Sequence, residues 1–223
     1  MKTSNIGACG ALMLATACAG ALAADNKITS LISTVEVKHN GEVVVISRGH
    51  DREATLPAIF QKTDRGCPPF CVQPIVAVPG VDTIGELEVL DYLSRMSQGD
   101  NSIMVVDSRT PDWVMRGTIP GSVNIPWNQI NTETAGTFET PTEADGLVHI
   151  LADEFGANYD AAKETWDFSK AKTLVLFCNG IWCPQSTTNL KTLVDLGYPV
   201  YKLKWYRGGM QDWSSVGLTT VKP

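Results

Sequence analysis

Two short and nearly uninterrupted apolar runs, Ile103-Met104-Val105-Val106 and Thr173-Leu174-Val175-Leu176-Phe177, most constrain what this chain can fold into. A strand with one wet face alternates apolar and polar residues. A continuous run of this length marks a strand buried on both faces, as in a parallel sheet covered by helices. Helical patterns surround both runs. Residues 83–97 carry Leu87, Leu90, Leu93 and Met96 on one stripe, and residues 112–115 predict a helical turn. Residues 147–155 predict a helix, and residues 187–196 another, closed by Gly197. Residues 200–203 predict a third strand, and residues 119–126 read as extended and turn-rich. Residues 131–146 are polar and read as loop, with a solvated acidic stretch at 139–145. Alternation of strands and helices implies a three-layer α/β domain, a central parallel sheet with helices on both faces, over residues 80–223.

The preceding segment has a different character. Val35-Glu36-Val37-Lys38 and Val43-Val44-Val45-Ile46 flank His39-Asn40-Gly41-Glu42, the signature of a β-hairpin. Residues 54–60 predict a further strand, held to a sheet edge by Pro57. The Gly66-Cys67-Pro68-Pro69-Phe70-Cys71 stretch is too proline-rich for a helix interior. Residues 24–79 therefore read as a small β-rich extension.

The first residues read as an export signal. Lys2 supplies a positive start, residues 3–24 carry no charge, and Ala21-Leu22-Ala23 is an A-x-A cleavage pattern. A signal peptide over residues 1–23, cleaved after Ala23, predicts an exported and periplasmic protein. A retained anchor would be more apolar than this stretch. The net charge is −6, and removal of Lys2 makes it more negative. No basic stripe is available to nucleic acid, and an anionic membrane surface is not an expected partner.

Of six cysteines, Cys9 and Cys18 leave with the signal, and two close pairs remain: Cys67 with Cys71, and Cys178 with Cys183. An oxidising compartment permits disulfides. Cys178 follows a buried strand directly and precedes a helix. Active sites of open α/β sheets lie outside the carboxyl ends of strands. The loop Cys178-Asn179-Gly180-Ile181-Trp182-Cys183-Pro184-Gln185-Ser186 runs into that helix. Free backbone N–H groups and the helix dipole favour an anion there, which favours a thiolate, a persulfide or a bound oxyanion. Cys178 is therefore the candidate nucleophile.

Three motifs carry a family resemblance. Residues 103–126, IMVVDSRTPDWVMRGTIPGSVNIP, resemble the rhodanese strand, Asp-x-Arg and Gly-x-Ile-Pro-Gly segment. Residues 174–186 resemble the strand that ends in the family's cysteine, and residues 203–213, LKWYRGGMQDW, its Gly-Gly-x-x-x-Trp segment. The resemblance covers residues 80–221. It implies a sulfurtransferase in which Cys178 accepts sulfane sulfur as a persulfide and passes it to a thiol or cyanide. The loop amides would cradle the sulfur, and Asp107 and Arg109 would brace the sheet edge and the loop. The persulfide would be the only cofactor-like group. The expected partners are a small sulfur donor, a thiol acceptor or a redox protein.

This sequence departs from that pattern twice. The loop is two residues longer than the typical Cys-x-x-Gly-x-Arg, and Gln185 stands where Arg usually stands. The loop carries no cationic side chain, which counts against efficient thiosulfate:cyanide transfer. The loop also holds Cys183, which can attack a persulfide on Cys178 or close a disulfide with it. This resembles an exported subgroup with paired loop cysteines, some of them associated with quinoprotein-dependent oxidation. Two alternatives stand beside sulfur transfer: a thiol–disulfide oxidoreductase or electron relay using a Cys178–Cys183 disulfide, and a non-catalytic module that binds sulfur or an oxyanion.

Cys67 and Cys71 read as a loop-stapling disulfide, or as a redox pair that docks on the active loop and resolves Cys178. A tetrathiolate zinc centre would need both pairs to converge, and no metal is expected. No Cys-x-x-Cys-His occurs, so covalent haem is excluded. His39, His50 and His149 fall in no motif. Trp182 and Trp205 either wall the pocket or belong to the core.

Overall fold

The computed structural model describes residues 26–51, 53–131, 143–160, 162–163 and 165–223. The predicted signal over residues 1–23 lies outside them. Among the described residues no helix is long and apolar enough to cross a membrane.

The chain opens with the hairpin β1 (Val35–His39) and β2 (Glu42–Ile46). Its turn holds Asn40 and Gly41 at positive φ, as a two-residue type I′ connection requires. Next come α1 (Ala58–Gln61), β3 (Asp82–Ile84), α2 (Glu86–Ser97) and β4 (Ile103–Asp107). They are followed by α3 (Pro111–Val114), β5 (Val123–Asn124), α4 (Trp127–Ile130) and α5 (Glu143–His149), the last continuing as a π-helix over Ile150–Glu154. A second hairpin, β6 (Asn158–Asp160) and β7 (Thr165–Asp167), precedes β8 (Thr173–Phe177). The chain closes with α6 (Gln185–Asp195), a 3-10 turn at Val200–Lys202, β9 (Leu203–Tyr206) and α7 (Gly209–Ser215).

The central sheet has the order β3-β9-β8-β4-β5, and every pair in it is parallel. The two apolar runs lie side by side as β4 and β8, with Val105 opposite Val175. Successive strand residues point to opposite faces, and this divides the core in two. Met104, Val106, Leu174 and Leu176 face a layer with Leu190 and Leu193 of α6 and with Leu151 and Phe155. Val105, Val175 and Phe177 face a layer with Val89, Leu90 and Leu93 of α2 and with Met210 and Trp213 of α7. Val37, Ile46 and Phe60 of the extension belong to that second layer. The hairpin is therefore packed on α2, where His39 Nδ1 accepts a hydrogen bond from Gly121 N at 3.1 Å.

Several boundaries differ from the sequence expectation. Thr83 and Ile84 belong to edge strand β3, and α2 begins at Glu86, where Glu88 Oε2 accepts from Gly85 N. Leu87 is exposed, and Val89 takes its place on the buried stripe. Residues 54–60 form no strand: Pro57 precedes the single helical turn of α1, since its fixed φ suits a helix start as well as an edge. The third strand is Leu203–Tyr206, and residues 200–202 form the 3-10 turn. Residues 143–146, expected as loop, are the first part of α5, while residues 132–142 lie outside the described set.

The segment after β2 meets the end of the chain. Arg48 bridges Leu218, Gly49 N donates to Gly217 O at 2.7 Å, and Thr219 N donates to Ser47 O at 3.1 Å.

Candidate active site

Cys178 sits at the carboxyl end of β8, the strand with neighbours on both sides that runs through the middle of the sheet. Its carbonyl is held by α7, because Met210 N donates to Cys178 O at 3.0 Å and Gln211 N to Asn179 O at 2.9 Å. Gly209 makes this approach available: at φ +56 a Cβ there would collide with the Cys178 carbonyl. The Gly-Gly pair thus lets α7 close on the base of the loop.

Below the loop lies a buried ion pair. Asp107 and Arg109 are 0% and 1% exposed. The guanidinium grips the carboxylate as a fork, Nη2 to Oδ2 at 2.6 Å and Nε to Oδ1 at 2.9 Å. Thr118 Oγ1 donates to Asp107 Oδ2 at 2.6 Å, and Arg109 Nη2 also donates to Gly117 O at 2.8 Å. Arg109 Nη1 lies 3.4 Å from Asn179 Oδ1. The pair therefore reaches from the end of β4 to the residue after Cys178, with its remaining polar positions satisfied, as a buried ion pair requires.

Cys178 and Cys183 are joined by a disulfide, and each is 2% exposed. A second disulfide joins Cys67 to Cys71. Among the described residues no group of three or more His, Cys, Asp and Glu side chains gathers to hold a metal ion. Gln185 Oε1 lies 3.3 Å from Cys178 Sγ and 3.6 Å from Cys183 Sγ, so the residue in the family's Arg position lies against both sulfurs. The loop folds back through Cys183 N donating to Gly180 O, then enters α6, where Thr187 and Thr188 hydroxyls donate to Pro184 O.

The extension forms part of the site. Gln73 N donates to Ile181 O at 2.8 Å, and Thr187 Oγ1 donates to Gln73 Oε1 at 3.2 Å. Arg207 Nη2 fixes the same segment by donating to Gln73 O at 2.8 Å. Phe70, between the second cysteine pair, meets Trp182 edge to face at 5.5 Å. The Arg65 guanidinium lies 3.6 Å from the Trp182 ring centre and donates through Nη2 to Ile59 O, and burial pulls its pKa down. Trp182 is itself buried, with Nε1 donating to Gln211 Oε1 at 2.8 Å.

A cavity of about 330 Å³ opens against the loop, with Pro69, Phe70, Trp113, Trp127, Asn179, Cys183, Pro184, Gln185 and Thr188 around it. Cys183 lines it and Cys178 does not. Of the two tryptophans considered from sequence, Trp205 is core, its Nε1 donating to the Ser186 hydroxyl, and Trp182 lies beside the cavity rather than in its wall. Trp113 and Trp127 supply that wall, together with Pro69 and Phe70. The Pro-Pro-Phe spacer was the one sequence signal for the latter. Trp113 lies in the helical turn expected over residues 112–115, but nothing in the sequence placed it or Trp127 in a cavity wall, because α3 and α4 are single turns with no periodicity to read.

A family model described as Rhodanese-like domain matches residues 89–216, more than half of the chain. The chain belongs to the rhodanese-like family. No curated protein sequence matches it. Rhodanese and sulfurtransferase structures are among its structural neighbours. The BH2092 protein from Bacillus halodurans aligns at 18% identity and TM-score 0.41, over 63% of this chain and 77% of that one. A thiosulfate sulfurtransferase from Pseudomonas aeruginosa aligns at 15% identity and TM-score 0.38, over 64% of this chain and 20% of its own. A human single-domain sulfurtransferase aligns at 18% identity and TM-score 0.35, over 60% and 96%. The rhodanese fold accounts for the five-stranded parallel sheet and its flanking helices. The extension and its cysteine pair precede the matched residues.

Proposed function

We propose that this rhodanese-family chain is an exported sulfurtransferase acting as a persulfide carrier, with Cys178 as acceptor and Cys183 as resolving thiol. The observation that carries the reading is the disulfide joining Cys178, at the end of β8, to Cys183 within the same loop. In the dithiol form, the Cys178 thiolate takes a sulfur atom from a sulfane donor and becomes Cys178–S–SH. Cys183 then attacks the inner sulfur, the S–S bond to the outer sulfur breaks, and hydrosulfide leaves as the disulfide forms. A thiol acceptor that reaches the outer sulfur first carries it away instead. The free N–H groups at the start of α6 favour the anionic sulfur in each step. Periplasmic residence, inferred from residues 1–23, accords with two disulfides in so short a chain.

A second reading, a thiol–disulfide relay, is favoured by the absence of a cation in the loop and by Gln185 lying against both sulfurs. Intact mass separates the two. After reduction and exposure to polysulfide, an adduct of about 32 Da on Cys178 is expected. It should be lost in Cys178→Ser and longer-lived in Cys183→Ser. A reduced protein that returns only to the disulfide, with no sulfur adduct in Cys183→Ser, overturns sulfur transfer in favour of the relay.

A further inference from the structure

Both loop cysteines are 2% exposed, but only Cys183 lines the cavity, and from this we infer that Cys183 is the sulfur attacked from outside. We infer also that the attacking group is a small uncharged thiol with an aromatic body. The inference rests on the proposed thiol chemistry of this loop and names its substrate class and direction. Cys178 is fixed at the strand end with α7 closed over its carbonyl, and it does not line the cavity. Cys183 does line it. An incoming nucleophile that uses the cavity therefore meets Cys183.

The walls define what can enter. Trp113, Trp127, Phe70 and Pro69 present apolar and aromatic surface, and among the described residues no Lys, Arg, Asp or Glu lines the space. Two guanidinium groups stack on nearby rings, Arg65 on Trp182 at 3.6 Å with a bond to Ile59 O and Arg116 on Trp113 at 5.2 Å, and neither is among the residues that line the cavity. A sulfonate, thiosulfate or carboxylate entering here would lose water without a counter-charge, which is costly. A cavity of roughly 150 Å³ accommodates benzene, so about 330 Å³ holds an aromatic ring with a short thiol-bearing arm. Gln185, Asn179 and Thr188 supply polar positions in the lining, and Gln185 Oε1 lies against both sulfurs.

The step balances as thiol–disulfide exchange. The thiolate sulfur bonds to Cys183 Sγ, and the Cys178–Cys183 bond breaks with its electron pair moving to Cys178. Cys178 leaves as a thiolate at the amino end of α6, a position that favours negative charge. A second thiolate attacks the substrate sulfur of the mixed disulfide. Two thiols are oxidised to one organic disulfide, and the protein disulfide is reduced to the dithiol that loads sulfur.

The experiment treats the oxidised full chain with benzyl mercaptan or with 2-mercaptoethanesulfonate, alkylates at intervals, and maps the cysteines by peptide mass spectrometry. The expected result is benzylthio on Cys183 with the alkyl label on Cys178, formed about tenfold or more faster than the sulfonate adduct, as burial of an aromatic ring predicts. Thr188→Lys, a partly exposed cavity position, should narrow that ratio by speeding the sulfonate thiol. The benzyl group on Cys178, equal rates for the two thiols, or no response to Thr188→Lys would overturn the inference. Loading of sulfane sulfur on Cys178 in the reduced protein is scored in parallel. If loading survives while the thiol chooses Cys178, the direction of attack is wrong and the carrier reading stands. If loading fails while the thiol takes Cys183, the carrier reading is wrong and the direction stands.

Discussion

The two disulfide loops of this molecule close rings of nearly the same size, with sequence separations of 4 and 5. In the chain-entropy description such short rings each contribute about 2 kcal/mol by restricting the unfolded chain. Their folded surroundings have little in common. Cys67 is exposed and Cys71 half-buried, on an extension where Phe70, Val72, Ile75 and Val76 face water to a large degree. Cys178 and Cys183 are buried, with a strand on one side, a helix on the other and a desolvated ion pair beneath. Equal covalent constraint therefore gives one pair that any reductant can reach and another approached through a cavity with selective walls. The first loop also supplies part of those walls. Its own bond shapes the access to the second.

That contrast can be broken at its base. Arg109→Met leaves Asp107 as an unpaired buried carboxylate, and the loss of stability should be about 3–5 kcal/mol, read as a fall in the urea midpoint. A loss under about 1 kcal/mol would mean that the pair is not the floor of the loop. The double change Cys67→Ser with Cys71→Ser should cost about 2 kcal/mol. It should also raise the rate at which 2-mercaptoethanesulfonate reduces Cys178–Cys183, because the Pro69-Phe70 wall loses its tether. An unchanged rate would separate the two loops functionally. The smallest effect lies where the hairpin meets the sheet domain. Burial pulls the His39 pKa below its usual value, and its Nδ1 accepts from Gly121 N. The neutral ring is the form suited to the fold. Its contribution is present above the unfolded value of about 6.5 and is lost as pH falls through the lower folded value. The melting temperature should therefore drop more for the parent than for His39→Gln as pH falls below about 6.5. Parallel pH profiles would remove the ring from this account.

How much of this was legible in the sequence follows from the length and burial of each element. β4 and β8 were legible because a strand buried on both faces has no polar alternation to confuse with anything else. The start of α6 was legible within two residues, because the cysteine loop and Gly197 bracket it. β3 was hidden, since three residues, Asp82, Thr83 and Ile84, pair only with β9 and merge into the helical pattern after them. β9 was placed too early because Val200 and Tyr201 look like strand residues, yet Tyr201 is exposed and the paired residues begin at Leu203. The β6–β7 hairpin is made of Asn158, Tyr159 and Asp160 against Thr165, Trp166 and Asp167, too short and polar to stand out. At the site, the strand-end cysteine and the Asp107–Arg109 pair could be named from motif order. The cavity could not, because Phe70, Trp113, Trp127 and Thr188 are distant in sequence and converge only through the fold.

The bridge between Arg48 and Leu218, with its flanking hydrogen bonds from Gly49 and Thr219, bears on how the chain assembles. Synthesis delivers the hairpin and β3 first, yet β3 pairs only with β9, and the segment after β2 waits for residues 217–219. Contacts of such long sequence separation close late, after loop entropy has already been lost. Until residues 203–218 arrive, β8 has an open edge on the side where β9 will lie, and the hairpin's apolar face lacks Trp213 and Leu218 from its layer. Between the appearance of β8 and that of β9, a nascent chain of this design carries an unpaired, aggregation-prone strand edge. Delivery of residues 203–219, rather than any local nucleus, is the event that permits the sheet to close.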